Sequence, residues 1–292
     1  MSEAKTVLVT GATGMVGQAL CTRLESLGHR VRTMSRSRGD FQWDIERGVV
    51  DPAAFEGVDA IVHLAGEPIS QNWTPELKKR IRESRVVSTR LLVDHVLRHG
   101  LAPAFICASG ISYYGTHSGS GQSEDSPPGT GFLAGVCRDW EAELKPLVEA
   151  GIRAVWMRIG VVLSPDGGAL RKLLPPFKAG VGGRVGSGEQ LMSWIALDDL
   201  TRALCFAVEN SRMQGPVNAV APQPLSNREF TKALGKALKR PTFFPVPTAV
   251  IRAMFGEMAE ETVLSDIGAY PRALEALGFQ WQSPNIQQAL QQ

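Results

Sequence analysis

The stretch from Thr6 to Met34 constrains the fold more than any other part of the sequence. Thr6-Val7-Leu8-Val9 is a short β-prone run closed by Thr10-Gly11. From Met15 to Leu27, apolar residues at Val16, Leu20, Leu24 and Leu27 keep a helical period until Gly28 stops it, and Val31 to Met34 reads as a second strand. Strand, tight turn, helix and strand in so few residues make a βαβ unit, whose two strands are parallel because the helix is the crossover between them. The turn runs Gly11-Ala12-Thr13-Gly14-Met15-Val16-Gly17. Glycines in that setting bring backbone N–H groups up to a pyrophosphate at the positive end of a helix, so Gly11, Thr13, Gly14, Met15, Val16 and Gly17 are expected to cradle a dinucleotide. A mononucleotide phosphate loop is excluded, since no Lys-Ser or Lys-Thr pair follows the glycines.

The same alternation continues downstream. Short apolar runs at 60–64, 104–108 and 154–157 are separated by helical stretches at Glu76 to Leu97 and Arg138 to Ala150, which predicts an α/β fold built on a doubly wound parallel sheet of the Rossmann type. After Ser164, Pro165-Asp166-Gly167-Gly168, Pro175-Pro176 and five glycines between 180 and 188 read as a loop region outside the core. Strand character returns at Trp194 to Leu197, a helix follows from Asp198 to Val208, and a last strand is expected near Pro216 to Val220. From Asn227 the chain reads as helical, with Phe230, Leu234 and Leu238 on one face and prolines punctuating the remainder of the chain. The expected division is a Rossmann domain of residues 1–164 and 191–220 and a smaller, mainly helical lobe of residues 165–190 and 221–292.

In a sheet of this kind the end of the second strand selects the cofactor: a carboxylate there bonds the ribose 2′-hydroxyl of NAD, and a cation accepts the 2′-phosphate of NADP. Here the residues are Ser35-Arg36-Ser37-Arg38, with the first carboxylate, Asp40, two places further on, which favours NADP. Asp44 is either an acceptor for the adenine amino group or a plain surface carboxylate. The 31 lysines and arginines against 29 carboxylates leave a formal charge of +2, too small a field to draw nucleic acid or an anionic membrane. No apolar run approaches the ~18 residues of a membrane span, and the amino terminus passes into the first strand without a signal peptide, so a cytoplasmic protein is expected. Four cysteines lie far apart inside apolar periodic segments, which fits reduced thiols. His95 and His99 are spaced as a metal pair but lack a third ligand nearby, so no metal is expected.

Taken together, Thr10-Gly11-x-x-Gly14-x-x-Gly17 and His63-Leu64-Ala65-Gly66 resemble the extended short-chain dehydrogenase/reductases, the superfamily of nucleotide-sugar epimerases and dehydratases. A narrower resemblance is to an atypical epimerase-like branch, sometimes labelled as cell-division-inhibitor homologues. It rests on Leu64-Ala65-Gly66-Glu67-Pro68-Ile69, Trp73, Lys78, Ser84-Arg85, Tyr113-Tyr114-Gly115, Val136-Cys137, Trp140-Glu141, Gly182-Gly183, Trp194-Ile195, Arg240-Pro241 and Gly278-Phe279. The resemblance implies that Leu64, Ala65 and Gly66 line the cofactor and that the substrate is a small polar molecule, nucleotide-linked in many relatives. The branch's carboxy-terminal lobe has no assigned role.

The resemblance also implies a catalytic tyrosine followed four residues later by a lysine, and this chain departs from it. Only Tyr113, Tyr114 and Tyr270 are available, and counting back from Glu141 puts Cys137 at the lysine position and Leu133 at the tyrosine position. The superfamily's catalytic serine or threonine position is Gly110 here, with Ser109 one place earlier. Arg85 replaces a usual helix asparagine, and Ala196 replaces a usual histidine. Substitutes are few. Tyr113 follows the carboxyl end of a parallel strand, where ligands bind, and is either a hydrogen-bond donor to a bound carbonyl or a packed aromatic. Glu67 serves as a general base only if burial raises its pKa, and is otherwise a loop carboxylate. Arg85 and Cys137 are expected beside the cofactor, Cys137 having inert core as its alternative. The residues leave two readings: an NADP-dependent oxidoreductase or epimerase without the usual relay, and a protein that senses NADP(H) without turnover.

Overall fold

The computed structural model describes residues 3–291. Its first half is β1 (Thr6–Thr10), α1 (Met15–Ser26), β2 (Arg30–Ser35), β3 (Phe41–Asp44), β4 (Val49–Val50), β5 (Ala60–His63), α2 (Pro75–Arg98), β6 (Ala104–Gly110) and β7 (His117–Gln122). Next come α3 (Phe132–Ala142), α4 (Lys145–Glu149), β8 (Ala154–Ile159), β9 (Val161–Ser164), α5 (Gly168–Lys178), β10 (Leu191–Met192), β11 (Trp194–Ala196), α6 (Leu197–Glu209) and β12 (Gly215–Ala219). The chain ends with β13 (Leu225–Ser226), α7 (Asn227–Leu238), α8 (Thr248–Phe255), α9 (Glu257–Glu261), β14 (Asp266–Ala269), α10 (Arg272–Ala276) and α11 (Ile286–Ala289).

Eight strands form the main sheet in the order β12-β8-β6-β5-β1-β2-β3-β4, parallel throughout except for the β3–β4 edge pair. Successive side chains on a strand point to opposite faces, and the buried positions divide accordingly. Val7, Val9, Ala60, Val62, Ile106, Val155 and Met157 pack with Leu20 and Leu24 of α1 and Leu200, Ala203 and Leu204 of α6. Leu8, Ile61, Phe105 and Cys107 pack on the other face with Val86, Leu92, Val93 and Val96 of α2, Trp140 of α3 and Leu147 of α4. The strands are apolar on both faces because both faces are covered.

Three expectations are corrected. Residues 165–190 hold α5, which contributes Leu170 and Phe177 to a buried cluster with Trp194, Phe230 and Leu234. Its apolar positions, Leu170, Leu174 and Phe177, fall on one helical face, and that burial outweighs two prolines inside the helix. The helix expected over 138–150 begins at Phe132 and divides at Glu143–Leu144, with Pro146 opening α4. The strand at 215–219 is not the last: β13-β10-β14-β7 form a second sheet in which β14 pairs in parallel with β7 across two register shifts. β7 is His-Ser-Gly-Ser-Gly-Gln, with none of the apolar alternation that marks a strand, and is held by its distant partner.

Candidate functional site

The strand order turns back between β5 and β1, and in open parallel sheets ligands lie across the carboxyl ends at such a point. The glycine turn stands there. Gly11 has φ +70°, and a Cβ on it would lie 2.7 Å from the Leu64 carbonyl carbon and 2.8 Å from the Ala65 nitrogen, so the turn touches the end of β5. A Cβ on Gly17 would lie 2.2 Å from the Gly11 oxygen, which presses α1 against the turn. Gly14 differs: a Cβ there would meet only the Gly11 oxygen, at 3.3 Å. The space over Gly14 is open, α1 begins there without a side-chain cap, and its first turn carries no acid, as an anion site at a helix start requires. Thr13 is exposed, Met15 and Val16 are half-buried, and Met15 lies against Gly167 and Gly168 at the start of α5.

At the end of β2, the Ser35 hydroxyl accepts from the Ser37 and Arg38 N–H groups at 3.3 and 2.7 Å and shapes the turn. Arg36 and Arg38 are exposed, and neither pairs with a carboxylate among the described residues. Asp40, by contrast, accepts from the Thr33 N–H and hydroxyl at 2.8 and 3.0 Å, so the nearest carboxylate is engaged inside its own turn. Asp44 accepts from the Arg47 N–H at 3.0 Å and lies 3.6 Å from its guanidinium, a local contact at a half-exposed side chain.

Where β1 and β5 end, a buried chain of hydrogen bonds runs beneath the turn. Ser88 donates to the Ser84 carbonyl at 2.7 Å, so the His63 Nε2–H donates to the Ser88 hydroxyl at 3.0 Å. Nδ1 then accepts from the Thr10 hydroxyl at 2.6 Å, and that oxygen accepts from the Ala65 N–H at 3.4 Å. The neutral imidazole thereby ties the ends of β1 and β5 together under Leu64, Ala65 and Gly66. Desolvation, aided by the field of Arg85, lowers its pKa to about 3.

On the β5–β6 side, Arg85 of α2 lies beside the β5 turn: a Cβ on Gly66 would be 3.1 Å from its guanidinium carbon. Its Nη1 donates to the Glu67 and Ile81 carbonyls at 3.1 and 3.0 Å, and the guanidinium carbon lies 5.4 Å from the Trp140 ring centroid. Cys137 is buried, and a Cβ on Gly110 would lie 3.6 Å from its sulfur. Desolvation is the largest cause raising that thiol to about 11, so it is not a thiolate at neutral pH. Leu133 packs with Leu77 and Ile81 and contributes no proton carrier. The Glu67 carboxylate accepts from the Gln71 amide at 3.3 Å.

The sequence reading missed a buried network beneath these residues. Ser109 donates to Glu141 at 2.7 Å, and Arg158 holds the same carboxylate through two bonds of 2.9 and 2.8 Å. Arg158 also donates to the Tyr114 hydroxyl at 3.0 Å, which in turn donates to the Asn218 carbonyl oxygen at 2.7 Å. Tyr114 is therefore structural, its pKa pushed up to about 12 by desolvation. Tyr113 is held differently. Its ring lies under the Arg158 guanidinium, 3.5 Å from the ring centroid, and its hydroxyl has no partner among the described residues. A charged arginine inside a strand and a glutamate on a helix's apolar face were the available signals, since such groups are buried only in pairs. Glu261, which accepts from the Phe132 and Leu133 N–H groups at 2.9 and 3.0 Å, carried no local signal at all.

Residues 7–220 match the NAD dependent epimerase/dehydratase family, and residues 246–292 match a domain of unknown function, DUF1731. Epimerase family protein Mb2239 of Mycobacterium bovis is 42% identical over 289 residues, 97% of this chain and 96% of that protein. Human epimerase family protein SDR39U1 is 36% identical over 293 residues, 98% of each. The crystal structure of human SDR39U1 (isoform 2) with NADPH superposes with a TM-score of 0.86 at 34% identity, covering 98% of this chain and 97% of that one. No described helix is long and apolar enough to cross a membrane. A glycine turn packed on the end of β5, a parallel sheet of this order and a match across most of the chain agree: the protein belongs to the NAD dependent epimerase/dehydratase family.

Proposed function

We propose that the chain is a cytoplasmic NADP(H)-dependent oxidoreductase or epimerase that handles a small polar, nucleotide-linked substrate without the tyrosine–lysine relay of its superfamily. Gly11, Thr13, Gly14, Met15, Val16 and Gly17 hold the pyrophosphate, Ser35, Arg36 and Arg38 the 2′-phosphate, with Asp44 toward the adenine. Leu64, Ala65, Gly66, Arg85 and Cys137 border the nicotinamide half. Unpaired Arg36 and Arg38 beside an internally engaged Asp40 support NADP(H) over NAD(H), as does the NADPH in the human SDR39U1 crystal. When bound, the cofactor supplies hydride chemistry. The substrate lies between the carboxyl edge of the sheet and the smaller lobe of residues 165–190 and 221–292.

The observation that carries the catalytic assignment is Tyr113: its ring is fixed by Arg158 at the carboxyl end of β6, while its hydroxyl has no partner among the described residues. It donates its proton, or a hydrogen bond, to the substrate oxygen. Ser109 acts through the Glu141–Arg158 pair that positions the ring, and Glu67, on the turn after β5, is the carboxylate assigned to proton transfer. Leu133 and Cys137 favour a second reading, NADP(H) sensing without turnover, because neither takes a proton from a carbinol.

Absorbance at the nicotinamide band separates the two, followed with NADPH and simple carbonyl compounds and with NADP+ and nucleotide sugars. Slow hydride transfer is expected, reduced by ~10² to 10⁴ in Tyr113→Phe and by less in Glu67→Gln. Turnover undiminished in both variants would remove these residues from the chemistry. No transfer with any substrate, even in Leu133→Tyr/Cys137→Lys, would leave the sensing reading.

A further inference from the structure

Arg85 makes no direct ion pair among the described residues. Its Nη1 is bound to two backbone carbonyls, while Nε and Nη2 donate to nothing among the described residues. Three nearby carboxylates are paired elsewhere, Glu141 with Arg158, Asp139 with Arg82 and Glu83 with Lys79, while Glu67 accepts from the neutral Gln71 amide and acts on Arg85 only through space. Gly66, Trp140 and the segment around Cys137 partly cover the guanidinium, and an arginine stays charged. The side chain is half-buried, and although Glu67 acts on the guanidinium through space, no carboxylate pairs with it directly.

Topology says what faces it. The turn at β1 divides the carboxyl edge, with Arg36 and Arg38 on the β2 side and Gly66, Arg85, Gly110 and Cys137 on the β5–β6 side. If the 2′-phosphate end lies over β2, the nicotinamide half lies over β5 and β6. That ring is cationic when oxidised and neutral when reduced. We infer that Arg85 biases the site toward the reduced cofactor, through repulsion of the oxidised ring by a guanidinium that no carboxylate pairs with directly. The inference rests on the NADP(H) reading proposed above and deepens it: the resting protein holds NADPH, so the chemistry it favours is reduction of a substrate carbonyl, and a sensor built this way would respond to the ratio of reduced to oxidised cofactor.

The test is the ratio of dissociation constants for NADP+ and NADPH, read by quenching of tryptophan fluorescence, in the full chain and three variants. The wild type should bind NADPH more tightly by about tenfold, from a unit charge acting across a partly screened cleft. A tenfold ratio raises the potential of the bound two-electron couple by about 30 mV. Arg85→Lys keeps the charge and should keep the ratio, whereas Arg85→Gln should bring it close to one, chiefly by tightening NADP+. Cys137→Asp places a carboxylate beside the guanidinium and should do the same with Arg85 intact, which answers the question if Arg85→Gln does not fold. Binding of both forms with a ratio unmoved in Arg85→Gln or Cys137→Asp overturns this inference and leaves the cofactor assignment standing. Binding of neither form by the wild type overturns both.

Discussion

The imidazole of His63 has no contact with solvent, and its pKa falls to about 3 from the usual 6.5 because burial disfavours the charged ring, with Arg85 adding to the effect. The unfolded chain takes up a proton below pH 6.5 that the folded chain refuses until about 3, so the stability present above pH 6.5 declines as the pH falls through that window. Between pH 7 and pH 5 this one residue should reduce stability by about 2 kcal/mol. Urea unfolding at the two pH values checks it, and His63→Gln, which does not titrate, should show a correspondingly shallower dependence. At this scale the legible residues were those whose placement depends on near neighbours: the glycines of the turn between β1 and α1, and Arg36 and Arg38 just past β2. Ser109 was legible only as a hydroxyl near the site, because its partner Glu141 is 32 residues away and Glu141's own partner, Arg158, lies on another strand.

Among the elements, α3 shows why part of the site escaped a local reading. Gly131 gives the helix no side-chain cap, and the exposed N–H groups of Phe132 and Leu133 are instead met by the two oxygens of Glu261, from α9. Lys78 of α2 reinforces the contact through Glu257, at 2.7 Å, and lies 4.5 Å from the Phe132 ring centroid. Glu261→Ala should cost about 1–2 kcal/mol, the size of a lost N-cap, and lower the midpoint of thermal unfolding by a few degrees. Calorimetry of the purified variant measures this directly, and an unchanged midpoint would mean that α3 is capped from elsewhere. The βαβ start of the chain was legible because its hydrophobic period and its turn residues agree. α5 was obscured by two prolines, and β7 by glycines and serines, because in each case distant packing or pairing overrides local preference.

On the scale of the whole molecule, the carboxy-terminal segment is continuous with the main core. Leu274 and Phe279 are buried with residues of β12 and α6, the Trp281 indole donates to the Val220 carbonyl at 3.0 Å, and Asp199 accepts from the Gln282 and Ser283 N–H groups at 2.7 and 2.8 Å. Removing residues 246–292 should therefore expose the β12 side of the sheet and give insoluble protein. A soluble truncated chain with a cooperative thermal transition would show instead that the segment only docks. The same architecture puts the glycine turn, Arg36 and Arg38, and Arg85 on one carboxyl edge, and the proposed function depends on that edge holding a dinucleotide. Calorimetric titration with NADPH and NADH tests it most directly: NADPH should bind more tightly, Arg36→Glu should remove most of the preference, and Gly14→Val should abolish binding in a folded protein, because the space above Gly14 is open in the structure. Equal affinities for the two cofactors that Arg36→Glu leaves unchanged, or undiminished binding by Gly14→Val, would contradict it.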